Sequence, residues 1–177
     1  KGDWGFSTRS KTAVTTEVLS RLPNTILLSG VSLLFAIVVA IPLGVLSAVK
    51  RYSILDYITT FIAFVGISVP SFWFALLIVA VFANKLGWFP SVGMSSAGAN
   101  LTGMAKFFDV ANHLVLPVAA LSFSELAYWI RYQRASLLEN LNQDFVRTAR
   151  AKGLKENTVI WRHAFRNSLV TTVTLIG

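Results

Sequence analysis

Two stretches of the chain carry no Asp, Glu, Lys or Arg: Leu22–Val49 and Tyr57–Asn84, 28 residues each. At about 1.5 Å per residue, 28 helical residues reach roughly 42 Å, against a hydrocarbon core of about 30 Å. Each run therefore predicts a membrane-spanning helix with a turn or two to spare. Pro23 sits where a first helical turn tolerates proline, which predicts a helix over 23–49. Lys50 and Arg51 close that run, residues 52–56 turn the chain, and a second span follows over 57–84, making a tight helical hairpin. Inside the second run, Gly66-Ile67-Ser68-Val69-Pro70-Ser71 interrupts the pattern, and Pro70 predicts a kink. A weaker apolar segment containing His113, Pro117 and Glu125 predicts a third span over 110–130. The apolar pattern returns over 167–177 and is cut off, so a fourth span in a fragment of a longer protein is expected. The fold class is all-α: a polytopic transmembrane helical bundle of three spans plus the start of a fourth. Residues 1–22 form an extracytoplasmic N-terminal segment and 23–177 the transmembrane domain.

Composition agrees with this reading. Residues are 54% apolar and only 14% charged, whereas a soluble domain carries about 25% charged residues. There is no cysteine, which removes thiolate metal ligands, disulfides and cysteine nucleophiles. The net charge of +8 would suggest nucleic acid for a soluble protein. Here the basic residues alternate with spans and offer no aromatic stacking platform, so nucleic acid is excluded as a partner. Ten Lys and Arg lie in the hairpin turn and in residues 131–166, and six lie in the N-terminal segment and the loop after Asn84. The positive-inside rule then places 131–166 in the cytoplasm and the 84–106 loop, with Trp88 and Phe89, at the opposite boundary.

The polar segment 131–166 carries most of the information. Leu137, Leu138, Leu141, Phe145 and Ala149 recur at helical spacing, while Glu139, Asn142, Arg147 and Arg150 fall largely elsewhere on the wheel. That predicts one amphipathic helix running to Gly153, a left-handed stop there, and a second short helix from Glu156 or Asn157. Such a knob outside the membrane suits a soluble partner; a basic amphipathic helix lying on anionic lipid is the competing reading.

Other candidates are sparse. Ser68, Pro70 and Ser71 mark irregular backbone at membrane depth, which lines a solute path or packs as an ordinary kink. Glu125 is an ionisable group inside a span, hence a path candidate, unless it reaches water or Arg131 at the cytoplasmic boundary. Pro42 and Gly44 read as a kink or close-packing site. His113 and His163 fall on opposite sides of the membrane and cannot share a metal, and no nucleophile–base pair stands out, so no catalytic or metal residues are assigned. Asp3, Asp56 and Asp109 fall in predicted loops, where a solvated carboxylate is the ordinary expectation.

The run Asp144-Phe145-Val146-Arg147-Thr148-Ala149-Arg150-Ala151-Lys152-Gly153-Leu154, with Arg162-His163-Ala164-Phe165-Arg166-Asn167 after it, resembles the cytoplasmic loop of bacterial ABC-importer permeases of the peptide-transport subfamily. Arg21-Leu22-Pro23-Asn24-Thr25, Ile41-Pro42-Leu43-Gly44, Gly66 to Phe72 and Leu116-Pro117 extend the resemblance over nearly the whole chain. Of the general Glu-Ala-Ala, three residues, Gly pattern only Ala149 and Gly153 match, and Arg147-Thr148-Ala149 looks like the peptide branch. Thr171-Thr172 departs from it, because that branch commonly carries proline shortly after the Arg-Asn pair.

The resemblance implies the first of two permease types in a dipeptide or oligopeptide importer of the bacterial plasma membrane. The expected partners are a second permease subunit, two ATPase subunits, an extracytoplasmic solute-binding protein, peptide substrate and membrane lipid. ATP and Mg would be bound by the ATPase subunits and no cofactor by this chain, which has no phosphate loop. The coupling residues would be Asp144, Arg147, Thr148, Ala149, Arg150, Ala151, Lys152 and Gly153, with Ala149, Ala151 and Gly153 the close-contact positions. A same-family permease for nickel, glutathione or another small solute, and a membrane anchor with a lipid-binding helix, are the alternatives.

Overall fold

A computed structural model describes residues 4–96, 98 and 100–176, with the side chains of residues 175 and 176 not included. Lys1 and Asp3, counted above in the N-terminal segment, and Gly177 lie outside the described residues. Among the described residues the only β pairing is an isolated bridge between Phe6 and Ala13, which closes a short turn before the first helix.

Helix α1 covers Val14–Val49, α2 Ile54–Ser68 and α3 Ser71–Ile78, which continues as a π-helical turn Val79–Lys85. Helix α4 covers Gly103–Leu141, α5 Asp144–Ala151, α6 Glu156–Thr158 and α7 Arg166–Ile176, with a second π-helical turn Val159–Phe165 leading into α7. Helices α1 and α4 are long and apolar enough to cross a membrane, and α2 with the α3 segment adds a third span if the bent pair is counted as one.

Helix α1 begins at Val14, nine residues before the start expected at Pro23. The added turns mix apolar and polar residues, are largely exposed, and carry an Arg21–Glu17 ion pair of 3.2 Å at i,i+4 spacing, an arrangement that supports an isolated helix turn. Proline at position 23 therefore sits inside the helix rather than at its first turn. At the other end, Lys50 donates its N–H to the Leu46 carbonyl at 2.9 Å, and Tyr52, at φ 61, turns the chain back. The Ser53 hydroxyl accepts the Asp56 N–H at 3.3 Å as the cap of α2.

The kink expected at Pro70 is a full corner. Val69 is extended (φ −84, ψ 125), as a residue before proline must be, and the helices on either side differ in direction by 103°. Helix α2 ends where Val69 donates to the Val65 carbonyl at 3.0 Å, and α3 begins where Phe74 donates to Pro70 at 3.1 Å. Two helices thus replace the single kinked one.

Helix α4 is the centre of the molecule, in contact with α1, α2, α3, α7 and the second π-helical turn. It runs parallel to α1: Leu27 and Val31 lie beside Phe107 and Val110, while Gly44 lies beside Ile130 and Gln133. The contact is close because the residues are small. Ala36 and Ala40 pack on Ala127 and Ile130, and a Cβ on Gly44 would sit 2.9 Å from both the Ile130 carbonyl and Gln133 Cβ. Helix α2 runs antiparallel to α4 on another side through Thr59, Ala63 and Gly66. There a Cβ on Gly66 would meet Ala127 Cβ at 2.6 Å. Such small-residue seams are how helices associate where lipid supplies no hydrophobic drive. Phe74 of α3 then stacks on Phe123, ring centroids 3.9 Å apart.

Helix α7 is held to α4 by polar contacts. Gln133 is fully buried, donating to Ser168 Oγ at 2.9 Å and accepting from Thr172 Oγ1 at 2.7 Å. Buried amides are stable only when satisfied in this way.

Candidate functional site

The helix expected to run unbroken from Leu137 to Gly153 is two helices. Helix α4 ends at Leu141, Gln143 is extended (φ −76, ψ 155), and α5 starts at Asp144. The Asn140 and Asn142 side-chain amides donate to the Ser136 and Leu138 carbonyls at 2.9 and 3.0 Å, capping the last turn of α4. Asp144 begins α5, where a carboxylate complements the positive end of the helix. Leu137 and Phe145 therefore share an apolar pattern but not a helix.

Helix α5 is strongly two-faced. Val146 and Ala149 are buried, and they pack with Leu137 of α4, Val45 and Ala48 of α1, and Val159 and Ala164 of the second π-helical turn. The opposite face is open: Asp144, Arg147, Thr148, Arg150, Ala151, Lys152 and Gly153 are all exposed. This corrects one expected contact position, because Ala149 is 5% exposed and its methyl group belongs to the internal core. Among the expected close-contact residues, Ala151 and Gly153 remain available to a partner.

The knob closes on itself after α5. Gly153 donates to the Arg150 carbonyl at 2.9 Å and Leu154 to Ala149 at 3.4 Å, with Gly153 at φ 74 in the left-handed region. A Cβ there would meet no atom within 4 Å, so the glycine serves the backbone conformation and leaves free space above it. Arg150 then clasps Glu156 at the start of α6 through Nη2–Oε1 at 2.7 Å and Nε–Oε2 at 3.1 Å. The guanidinium holds the Glu156 carboxyl below its ordinary range, and the carboxylate raises Arg150 in turn. Arg147 reaches only Asp144, at 3.4 Å, and both are exposed. The Thr148 hydroxyl donates to the Asp144 carbonyl at 2.9 Å.

The expected path residues fall in one region. Ser68, Pro70 and Ser71 are exposed at the α2–α3 corner, with the Ser68 hydroxyl donating to the Phe64 carbonyl at 2.9 Å. Glu125 is exposed on α4 and lines a cleft with Ile67, Ser124 and Tyr128. Ile67 and Ser68 also border a neighbouring depression with Thr60, Phe64, Arg131 and Arg134. The corner of α2 and the middle of α4 therefore share one continuous seam. Among the described residues no group of three His, Asp or Glu side chains could hold a metal ion.

Asp56 is where sequence reasoning missed most. It is 3% exposed rather than solvated, and its carboxylate takes Arg134 Nε at 2.7 Å, Arg134 Nη2 at 3.0 Å, the Tyr52 N–H at 2.9 Å and the Ser47 hydroxyl at 2.5 Å. The pair joins the α1–α2 hairpin to α4 ten residues before α5. One signal could have found it: Asp56 and Arg134 are opposite charges at the same predicted edge of adjacent spans. Asp109 differs likewise. It accepts the Ser96 N–H at 2.8 Å and the Ser96 hydroxyl at 2.6 Å, strapping the 86–102 loop to α4.

Residues 40–177 match the family described as binding-protein-dependent transport system inner membrane component. Over its full length the chain is 43% identical to an oligopeptide transport system permease protein, AppB, of Bacillus subtilis, and spans 55% of that relative. It is 43% identical to a putative peptide permease protein of Brucella suis, again over the full chain and 54% of the relative. Over 99% of its length it is 36% identical to a dipeptide transport system permease protein, DppB, of Alkalihalophilus pseudofirmus, spanning 57% of it. The chain thus spans about half the length of the relatives it matches.

Proposed function

The chain belongs to the family of binding-protein-dependent transport inner membrane components, and on that premise we propose that it is part of the membrane-spanning subunit of an ATP-driven peptide importer. The protein sits in the bacterial plasma membrane with 131–166 in the cytoplasm. A second permease subunit completes the pathway, two separate ATPase subunits bind ATP and Mg, and an extracytoplasmic binding protein delivers the solute. Peptide is the solute because the relatives carry the words oligopeptide, peptide and dipeptide in their names.

The observation that carries the coupling role is the division of α5 into two faces. Val146 and Ala149 enter one core with residues of α1, α4 and the second π-helical turn, the element α5 packs on most, while Arg147, Arg150, Ala151, Lys152 and Gly153 are presented outward on a closed turn. A helix lying on lipid would turn its apolar face outward to the bilayer; here Val146 and Ala149 of that face are turned inward, and Phe145 is the large apolar side chain of α5 left exposed. An ATPase cleft that closes on the exposed face moves α5, and the shared core passes that displacement to the spans. Work is transmitted only to the extent that the contact differs in free energy between ATPase states.

Substitution at Gly153 tests this in the full-length parent protein. Gly153→Ala introduces the left-handed strain, about 1–2 kcal/mol, with no bulk; Gly153→Glu adds bulk and negative charge into the open space above the turn. The Ala variant is expected to retain ATPase co-purification and solute-stimulated ATP hydrolysis, and the Glu variant to lose both while still inserting in the membrane. Normal stimulated hydrolysis in a complex carrying Gly153→Glu would refute the coupling role.

A further inference from the structure

Helix α4 is covered on two sides. Ile130 and Gln133 meet α1, while Phe123, Ala127 and Arg134 meet α2 and α3. The side left open carries Ser124, Glu125, Tyr128, Arg131 and Tyr132, a set that recurs at i, i+1, i+4, i+7 and i+8 and so forms one helical face. Glu125, Tyr128 and Arg131 are exposed on it, and the Tyr128 and Tyr132 rings lie 5.5 Å apart. Among the described residues neither Glu125 nor Arg131 has an ion-pair partner. Arg131 opens the segment placed in the cytoplasm, and the face leading up to it, which bears Glu125 and the tyrosine hydroxyls, cannot rest against lipid hydrocarbon, where an uncompensated charge costs about 3 kcal/mol or more. It faces water or a polar occupant.

Resting on the peptide-transport reading above, we propose that this face is a transient binding site for the backbone termini of the transported peptide. Glu125 takes the free α-ammonium, Arg131 takes the α-carboxylate, and Tyr128 lies between them as a platform for the intervening side chains. The two charged residues are six positions apart on the helix, about 9 Å along its axis and about 120° around it, at the two edges of the face, and an extended tripeptide spans roughly 10 Å between the atoms that their flexible side chains would reach. The polarity of the face and this spacing fit a short zwitterionic peptide, whose two ends demand opposite charges at that separation. A guanidinium is suited to a carboxylate because it offers paired donors in one plane. The cleft lined by Ile67, Ser124, Glu125 and Tyr128 gives the ammonium end a recess beside the α2–α3 corner.

The test uses the complete transporter, with the full-length parent subunit, in proteoliposomes. Uptake of free Ala-Ala-Ala is compared with uptake of its N-acetylated and C-amidated forms. Glu125→Gln is expected to lower the ratio of free to N-acetylated uptake about tenfold, with Glu125→Asp restoring most of it. Arg131→Gln is expected to lower the ratio of free to amidated uptake by a similar factor. The delivery step is common to all variants, so a change in these ratios arises in the membrane subunit. The 177 residues contain no cysteine, so Ser124→Cys adds a single thiol to this face, and a membrane-impermeant maleimide is expected to label it unless peptide is present. A thiol shielded in the resting complex would mean that the rest of the parent protein or another chain covers the face, and that overturns the proposal. Unchanged ratios in a complex that imports peptide overturn it as well, leaving the transport reading intact. If the native complex takes up no peptide, the transport reading falls and this assignment with it.

Discussion

Replacing either partner of the Asp56–Arg134 pair should cost stability unequally, and the inequality is set by burial. The Asp56 carboxylate is 4% exposed and the Arg134 side chain 27%. Removing one partner of a buried pair costs about 3–5 kcal/mol because the other is left as an uncompensated charge. Arg134→Ala strands Asp56 with only the Tyr52 N–H and the hydroxyls of Ser47 and Thr60 as donors, so it should approach that range. Asp56→Ala strands a partly exposed guanidinium on a long stem that can extend to the interface, so about 1–3 kcal/mol is expected. The double variant Asp56→Ala/Arg134→Ala removes both charges and should cost less than the two single variants together, with a coupling of about 2 kcal/mol. Denaturation of the detergent-solubilised parent protein, followed by tryptophan fluorescence, measures all three. A larger loss for Asp56→Ala than for Arg134→Ala, or strict additivity of the two, would refute the argument.

Two further outcomes follow from packing and charge. Gly66→Ala should push α2 off α4, since its Cβ would lie 2.6 Å from Ala127 Cβ; a loss of about 1–3 kcal/mol is expected, with Ala127→Gly in the same chain recovering much of it, and failure of that second substitution to help would count against the packing. Arg150 lowers the Glu156 carboxyl, so the stabilisation from the clasp is full above the ordinary carboxylate range and is lost as pH falls through the depressed folded value. Hydrogen exchange of residues 150–158 should therefore accelerate in acid more in the native protein than in Arg150→Gln, and identical acid responses would show that the clasp contributes nothing.

The sequence was most legible where a single physical requirement dominates. Uncharged runs of 28 residues announced α1 and α2 with α3, because any charge at membrane depth is expensive. The stop at Gly153 was readable for a similar reason, since a left-handed residue favours glycine. What escaped reading depends on pairings distant in sequence. Asp56 looked like a loop anion until Arg134, 78 residues on, was brought beside it. The break at residues 142–143 escaped because Leu137, Leu141, Phe145 and Ala149 keep helical spacing straight through it; Leu137 and Ala149 enter one core from the two helices while Phe145 stays exposed, so periodicity alone does not register the joint. Ala149 was misassigned for a related reason: a small residue suits a close contact, but spacing does not say whether the contact is with a partner or with α1 and α4.

The break between α4 and α5 bears directly on how force could travel. A continuous helix would carry a push on its end along the axis of α4 alone. With Gln143 extended, α5 instead starts as a separate helix whose main contact is the second π-helical turn, and its buried Val146 and Ala149 join the core that also holds Val45 and Ala48 of α1 and Leu137 of α4. Close-packed interiors have few voids and shift as bodies rather than compress. Under the proposed coupling, a displacement of α5 would therefore reach two parallel spans at once through the π-helical turn and the shared core. Asp56–Arg134 ties the start of α2 to the same two helices within a few turns of that core, so under the proposed coupling α1, α2 and α4 would move together at the ends nearest α5. The only marked change of direction between the driven ends and α3 is the 103° corner at Val69–Pro70. That corner, beside the open face of α4, is where motion of the driven helices relative to α3 is most readily taken up.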